Sequence, residues 1–419
     1  MTQRLVLDNG IRVVAERMTG VKSISIGLWV AIGSRDETPD EQGISHFLEH
    51  MFFKGTERRS AQEIARKIDT IGGEINAFTS RETTTFYARV LDDHLHHAVD
   101  ILSDNFHHSL FDSREIAKEK EVVTEEIKMA EDDPEDLVHE LHLMEVWKGH
   151  PLSRPILGTR ETVSSMTRKG IVHFLARTYD PKRIVISVAG HFEMASLLKL
   201  IAKSFENYVC PQIHWVPRKP PLMRPSVQAV ARNLEQTHLC WSLQGLPDTH
   251  PDRYALHVLN AIVGGSVSSR LFQEIRERRG FVYSIYSSII AYQDGGLMTF
   301  YAATRPQNML KVSDLVVKEI KGLKKKGIDA IELEEAKNHI KGSMMLGMES
   351  TQSRMSKLAQ NELRFGRDYS LNEVLREVSR VSKRQVHRVV EQLMEDGCLA
   401  MTVLGNLGQN KFPEKISLA

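Results

Sequence analysis

The chain is short of cysteine, of long apolar runs and of net charge, and each shortage removes a class of protein. Its three cysteines, Cys210, Cys240 and Cys398, are odd in number, far apart and without a C-x-x-C pair. They offer neither a disulfide framework nor a thiolate zinc site, and they fit a reducing compartment. No stretch approaches the roughly 18 consecutive apolar residues of a spanning helix, so no membrane span is expected. Lys and Arg number 55 against 54 for Asp and Glu, a formal net charge of +1. Nucleic-acid binding, which calls for a basic surface, is not expected. The first residues do not read as a leader, because Arg4–Val14 alternates around Asp8-Asn9-Gly10 as strand, turn and strand. The expectation is a cytoplasmic protein, with a trimmed organelle precursor as the alternative.

What is present fits a globular chain. The 419 residues are 41% hydrophobic and 26% charged, enough for two or three domains with real cores. A second strand is expected at Ser23–Ile32. A helix follows from Ser60, with Glu63 in capping-box position. Thr83–Val90 is β-rich, and long helices fill Asp93–Ser109 and Ser113–Trp147, the latter breakable near Pro134. Ile184–Val188 is an apolar strand ending at Gly190. The interval 210–225 holds five prolines and reads as a linker. Beyond it the first half recurs: strands in Val227–Leu243, a helix at Asp252–Ile262, another at Ser269–Arg279. Asp112-x-x-Glu115 is echoed at Asp329-x-x-Glu332, and the strand end at Gly190 is echoed at Gly405. The two offsets, 217 and 215, argue for duplication. The domains read as 1–209, a linker at 210–225, and 226–419.

The densest chemistry lies in His46-Phe47-Leu48-Glu49-His50. On a helix, residues four apart project from one face, so His46 and His50 can share a metal. Neutral imidazole nitrogen suits Zn²⁺, and Glu49 is placed to take a proton from water beside it. The H-x-x-E-H order is a known peptidase signature. In a chain with 18 histidines such a pair also arises by chance, and a catalytic zinc usually needs a third protein ligand. The run Glu119–Glu145 holds eleven acids, most of which read as a solvated helix face. Glu119 and Glu126 are two turns apart on one side. One could reach a metal and the other a neighbouring histidine; Glu125 points elsewhere. The second half has no such motif, and reads Tyr254-Ala255-Leu256-His257-Val258 where the matching helix is due. The clusters at His94, His96, His97 and His107, His108 read as surface histidines.

With these words in hand, the chain resembles the inverted zinc peptidases of the pitrilysin/insulysin clan (family M16), and among them the shorter members similar to mitochondrial processing peptidase. The motif is preceded by Gly43-Ile44-Ser45 and followed by Phe53-Lys54-Gly55-Thr56. Asn76-Ala77-Phe78-Thr79, Arg81-Glu82 and the run Leu152–Gly158 match as well. The resemblance implies a third ligand about 76 residues after the second histidine, which is Glu126. It implies an α+β fold of two similar domains, each a mainly antiparallel sheet covered by helices, facing across a cleft. It implies Zn²⁺ on His46, His50 and Glu126, with Glu49 and Glu119 in catalytic roles. Arg276 and Tyr283, seven apart, would grip the peptide backbone, and Asn76 and Phe78 would contact the substrate strand. Asp136 and Glu140 would receive a basic side chain near the cut. A peptide substrate and a dimer, with itself or with a relative, follow from the same resemblance. The rival is a non-catalytic core or partner subunit of the family, and a third reading is a peptide-binding chaperone.

Overall fold

A computed structural model of the chain describes residues 2–210, 217–395, 397–410 and 412–418. In chain order come β1 (Thr2–Val6), β2 (Arg12–Arg17), β3 (Ser23–Val30), α1 (Ile44–Met51), α2 (Ala61–Thr70), β4 (Glu74–Thr79), β5 (Thr84–Leu91), α3 (Leu95–His108), α4 (Ser113–Asp132) and α5 (Pro134–Val146). Next are α6 (Arg160–Ser165), α7 (Arg168–Thr178), β6 (Ile184–Gly190) and α8 (Met194–Phe205). The later part holds β7 (Val227–Ala231), β8 (Thr237–Gly245), α9 (Arg253–Val263), a π-helix at Phe272–Glu277, β9 (Val282–Ala291) and β10 (Gly296–Thr304). It ends with α10 (Met309–Lys326), α11 (Ala330–Gly347), α12 (Thr351–Phe365), α13 (Leu371–Arg380), α14 (Lys383–Leu393), β11 (Cys398–Gly405) and β12 (Ile416–Ser417).

Local chemistry explains several boundaries. Ser60 caps α2 through the Glu63 N–H, and the Glu63 carboxylate returns to the Ser60 N–H at 2.8 Å. Pro134 ends α4 and starts α5, where Asp133 caps the new helix. Of the expected linker, residues 211–216 lie outside the described residues, and the described remainder holds neither helix nor strand. The helix expected at Ser269–Arg279 is wound as a π-helix over Phe272–Glu277, so its turns are wider than an α-helix allows.

The elements form two compact units that interleave along the chain. The first is Met1–Met129, Arg154–Arg218 and Gly347–Asp368; the second is Ala130–Ser153, Lys219–Leu346 and Tyr369–Ala419. Against the consecutive division expected from the sequence, 130–153 and 347–368 sit in the unit opposite to their neighbours in the chain. The cause is burial. Helices α5 and α12 each have an apolar face, and each covers a sheet made by the other half of the sequence.

The first unit's sheet runs β1-β2-β6-β3-β5-β4, antiparallel except for β2 beside β6. The second runs β12-β11-β8-β10-β9, with β7 parallel to β11. Thus β2, β6, β3, β5, β4 correspond in order and direction to β7, β11, β8, β10, β9. The fold is α+β, two similar units with mixed, mainly antiparallel sheets. In β3, Ile24, Ile26, Leu28 and Val30 point into the main core with α1, α3 and α4. Trp29, on the opposite face, packs with Met355, Leu358 and Ala359 of α12. Full burial of a side chain such as Leu358 is worth roughly 1.5–3 kcal/mol. The Ser25 and Thr351 hydroxyls meet at 2.9 Å, and Glu362 accepts from Arg4 at 3.0 Å and Arg12 at 3.3 Å. In the second unit, Leu239, Trp241 and Leu243 of β8 enter the core. Cys240, on the other face, packs with Val138 of α5. Among the described residues no helix is long and apolar enough to cross a membrane.

Candidate metal centre

Helix α1 carries the H-x-x-E-H run, and its start is held by groups outside it. Glu37 is buried, and its carboxylate accepts the backbone N–H of Gly43 and of Ser45, each at 2.8 Å. A carboxyl group at a helix N-terminus satisfies free donors, and when ionised it also complements the dipole. Burial pushes the Glu37 carboxyl up to about 8, with these two N–H groups and the Ser45 hydroxyl pulling the other way. Arg154 donates to the Glu37 carbonyl, and the Thr162 hydroxyl donates to that of Gln42 at 2.8 Å. A Cβ on Gly43 would lie 2.5 Å from the Leu157 carbonyl oxygen. Two backbones touch here and only glycine fits. The words before the motif and at 154–158 are therefore two sides of one contact.

Helix α4 supplies the carboxylates. Ile116, Val123 and Ile127 bury one side of it, and Glu119 and Glu126 share an adjoining side. Glu125 lies on the exposed side and pairs with Lys128. The Glu126 Oε2 lies 3.7 Å from His46 Nε2 and 3.4 Å from His50 Nε2. One donor atom from each of the three residues lies within 4.8 Å of the others, the one such group among the described residues. Side-chain exposures of 12%, 17% and 36% leave the group reachable from solvent on the Glu126 side. On its far side, His50 Nδ1 meets Glu119 Oε1 at 2.8 Å, and Lys54 Nζ lies 2.5 Å from Glu119 Oε2.

The electrostatics separate the two histidines. Burial, helped by His50, pushes His46 down to about 4, so it is neutral at ordinary pH. Burial also acts to lower His50, but the hydrogen bond to Glu119 and the charges of Glu126, Glu119 and Glu49 outweigh it and raise it. Burial acts to raise Glu119, yet His50 and Lys54 hold it below the usual carboxylate range. Glu49 is raised, by burial first and by the charge of Glu126, while Thr79 and His50 offset part of the effect. The Glu49 Oε2 and His46 Nδ1 are buried with no hydrogen-bond partner among the described residues. Such orphaned atoms are costly. Two imidazole nitrogens and one carboxylate within 4.8 Å of one another, exposed on the Glu126 side, are a donor set that fits zinc.

The other expected site residues fall in two places. Asn76 and Phe78 are on β4, at the edge of the first sheet. Ala77 faces the core, while Phe78 is 38% exposed with its ring edge-on to Trp29 at 5.4 Å. Arg276, Tyr283, Asp136 and Glu140 belong to the second unit. The Arg276 guanidinium lies 4.6 Å from the Phe272 ring centre and 5.8 Å from that of Tyr283. Tyr283 is 77% exposed at the start of β9. Asp136 and Glu140 share a side of α5, and burial together with Asp133, Glu135 and Glu140 raises Asp136. Sequence reasoning missed Glu37 and gave Lys54 no role. Their only signal was position, an acid six residues before Gly43 and a lysine four after His50.

Comparisons with known proteins follow the same lines. The chain matches the family model described as insulinase (peptidase family M16) over residues 12–160, and that of the peptidase M16 inactive domain over 165–340. It is 44% identical over 402 residues to a protein named as an uncharacterized zinc protease of Bacillus subtilis (strain 168), covering 96% of this chain and 98% of that one. A Mycobacterium leprae (strain TN) protein named likewise is 38% identical over 395 residues, covering 93% and 89%. Among solved structures, a peptidase M16 inactive domain from Pseudomonas fluorescens aligns with TM-score 0.91 at 19% identity, over 98% of this chain and 100% of that one. A protease from Helicobacter pylori aligns with TM-score 0.88 at 22% identity, over 97% and 99%. At these identities the structures speak to the fold.

Proposed function

The chain belongs to peptidase family M16, and from that membership and the geometry above we propose that it is a zinc-dependent endopeptidase acting on extended peptides or flexible protein termini. The observation that carries the reading is the convergence of His46, His50 and Glu126, with an unpartnered buried oxygen of Glu49 on the same helix. His46 Nε2, His50 Nε2 and a Glu126 oxygen would hold the metal. Bound zinc would supply Lewis acidity to the scissile carbonyl and lower the pKa of water towards neutrality. Glu49 accepts the proton of the attacking water and passes it to the leaving amine, and its raised carboxyl suits both halves of that transfer. Glu119 fixes the ring of His50, so that its Nε2 carries the lone pair when Nδ1 donates.

Peptide recognition is the finer part of the proposal. The free edge of β4 offers backbone groups for strand addition, with Asn76 and Phe78 as side-chain contacts. Arg276 and Tyr283 donate to peptide carbonyl oxygen, and Tyr283 helps to stabilise the developing oxyanion. Asp136 and Glu140 favour a Lys or Arg near the cut. By family analogy the protein works as a dimer, with itself or with a relative, and its proposed place is the cytoplasm, which its three far-apart cysteines suit.

The test is zinc analysis of the purified protein alongside cleavage of quenched peptides with and without basic residues. We expect stoichiometric zinc, chelator-sensitive cleavage and faster turnover of the basic peptides. Glu49→Gln should keep the zinc and lose roughly 10²–10⁴ in turnover. A zinc-free wild type, or full turnover by Glu49→Gln, overturns the reading in favour of a non-catalytic subunit. Equal rates on basic and neutral peptides remove the role of Asp136 and Glu140.

A further inference from the structure

Four residues after His50, a lysine joins the centre from the side away from the metal ligands. Lys54 Nζ lies 2.5 Å from Glu119 Oε2, while Glu119 Oε1 meets His50 Nδ1 at 2.8 Å. The Glu119 side chain is only 4% exposed and that of Lys54 31%. The two oxygens of a buried carboxylate are thus divided, one on the histidine and one on the lysine.

The backbone that carries the lysine is pinned on both sides. The Lys54 N–H donates to the Met51 carbonyl at 3.2 Å, closing the end of α1. The Leu110 N–H donates to the Gly55 carbonyl at 3.1 Å, and the Thr56 N–H to that of Arg59 at 2.8 Å. The Thr56 hydroxyl donates to Asp104 at 2.8 Å, and Arg59 pairs with the same buried carboxylate of α3. The turn that carries Lys54 is therefore anchored to a core helix. Holding Glu119 still costs the lysine side-chain entropy, but its partner is a buried carboxylate, which sets the pair apart from an exposed one.

We propose that Lys54 is a positioning residue for the metal centre, acting through Glu119 to fix the ring of His50. The inference rests on the zinc reading above. Without Lys54, one oxygen of a buried carboxylate loses the only cation that it meets among the described residues, and the carboxylate is free to turn. That freedom loosens the His50 ring. Glu119 is the second-layer partner of a metal-binding histidine, and loss of such a partner typically costs 10–100-fold in metal affinity. Lys54 is one step further out and its loss should cost less, about tenfold.

The sign of the effect separates this role from plain electrostatics. A lysine near a dication repels it, so through-space action alone predicts tighter zinc binding when the charge is removed. Positioning predicts weaker binding. The experiment is zinc competition against a chromophoric chelator, on the full chain, for wild type, Lys54→Met, Lys54→Gln and Lys54→Arg. Each is also made in the Glu119→Gln background, with apo-protein thermal melts to score folding. We expect about tenfold weaker zinc binding for Lys54→Met and for Lys54→Gln, and recovery to within about threefold of wild type for Lys54→Arg. In Glu119→Gln, removing the lysine should change nothing further. Equal or tighter binding by Lys54→Met and Lys54→Gln, or the same loss in both backgrounds, overturns the role of Lys54 alone. A wild type that binds no zinc overturns the zinc reading and this inference with it. Should Lys54→Met fail to fold, Lys54→Gln and Lys54→Arg carry the comparison.

Discussion

The two units share one sheet plan but differ in what faces their helices. In the first, α1 and α4 bring His46, His50, Glu49, Glu119 and Glu126 together. In the second, α9 stands in the place of α1 and presents Tyr254 and the exposed His257, and α11 holds Ala336 where α4 holds Glu119. The second unit keeps ion pairs such as Arg270–Glu332 among its helices, and carries a buried cluster of titratable groups on the other face of its sheet. There His142 is fully buried between the hydroxyls of Thr402 at 3.0 Å and Ser242 at 2.9 Å, and Tyr286 bridges His139 and Glu135. A duplicated scaffold thus keeps its backbone pattern while its chemistry moves. The fold depends on strand order and buried apolar faces, whereas a site depends on a handful of side chains that the scaffold tolerates losing.

Three measurements test that contrast. The largest effect is on turnover. His46→Ala should lose zinc and at least ~10³ in cleavage, by the scale of losing catalytic machinery. His257→Ala, at the matching helix, should change cleavage less than twofold. Equal damage from both would mean that the two units share the chemistry.

The next effect is on stability. Gly190 and Gly405 end equivalent strands with φ of 143° and 142°. A Cβ at Gly190 would lie 2.3 Å from the Ser23 carbonyl oxygen, and one at Gly405 would lie 2.9 Å from that of Gln236. Alanine at either position should cost roughly 1–3 kcal/mol from backbone strain, more at Gly190. Urea midpoints will rank them, and a harmless Gly405→Ala would break the equivalence.

The smallest effect is a pair of opposite pH slopes. Burial pushes His142 down to about 3, with His139 adding to the effect. From about pH 6.5 downwards, the unfolded chain takes a proton that the native state refuses, so stability falls with falling pH. Burial pushes Glu37 up to about 8. From about 4.5 to 8 the native state keeps a proton that the unfolded chain has lost, so this group's contribution falls with rising pH. Each slope is bounded at about 1.4 kcal/mol per pH unit. Hydrogen exchange of β8 amides in His142→Gln, and of α1 amides in Glu37→Gln, should each lose its own slope. Parallel slopes in both regions would refute the assignment.

The centre was largely legible in the chain because helical spacing is local. His46 with His50, and Glu119 with Glu126, needed only the 3.6-residue repeat to share faces, and their meeting across α1 and α4 came from the family resemblance. The duplication was legible in Gly190 and Gly405, whose paired offsets mark equivalent strand ends. Glu37 and Lys54 were not read as parts of the centre, because a carboxylate that caps a helix from an outside loop has no periodicity, and neither has a lysine in a turn. The π-winding at Phe272–Glu277 was hidden because i+4 and i+5 bonding differ by tertiary packing, not by residue type. Nor could the sequence say which sheet α5 and α12 would cover, since an apolar stripe names a face and not its partner.

That exchange of helices has a consequence for the chain's birth. A nascent chain that has just finished β6 at Gly190 must wait for Phe365, 175 residues on, before the covering helix of its first sheet exists. At about 5–20 residues per second that is roughly 10–35 s. Through that interval the outward face bearing Trp29 and Val185 has no native cover, and holding chaperones have their opportunity. A gene cut between the halves would yield a first fragment without α12 and a second without α5, so neither fragment is a domain in the sense of folding alone.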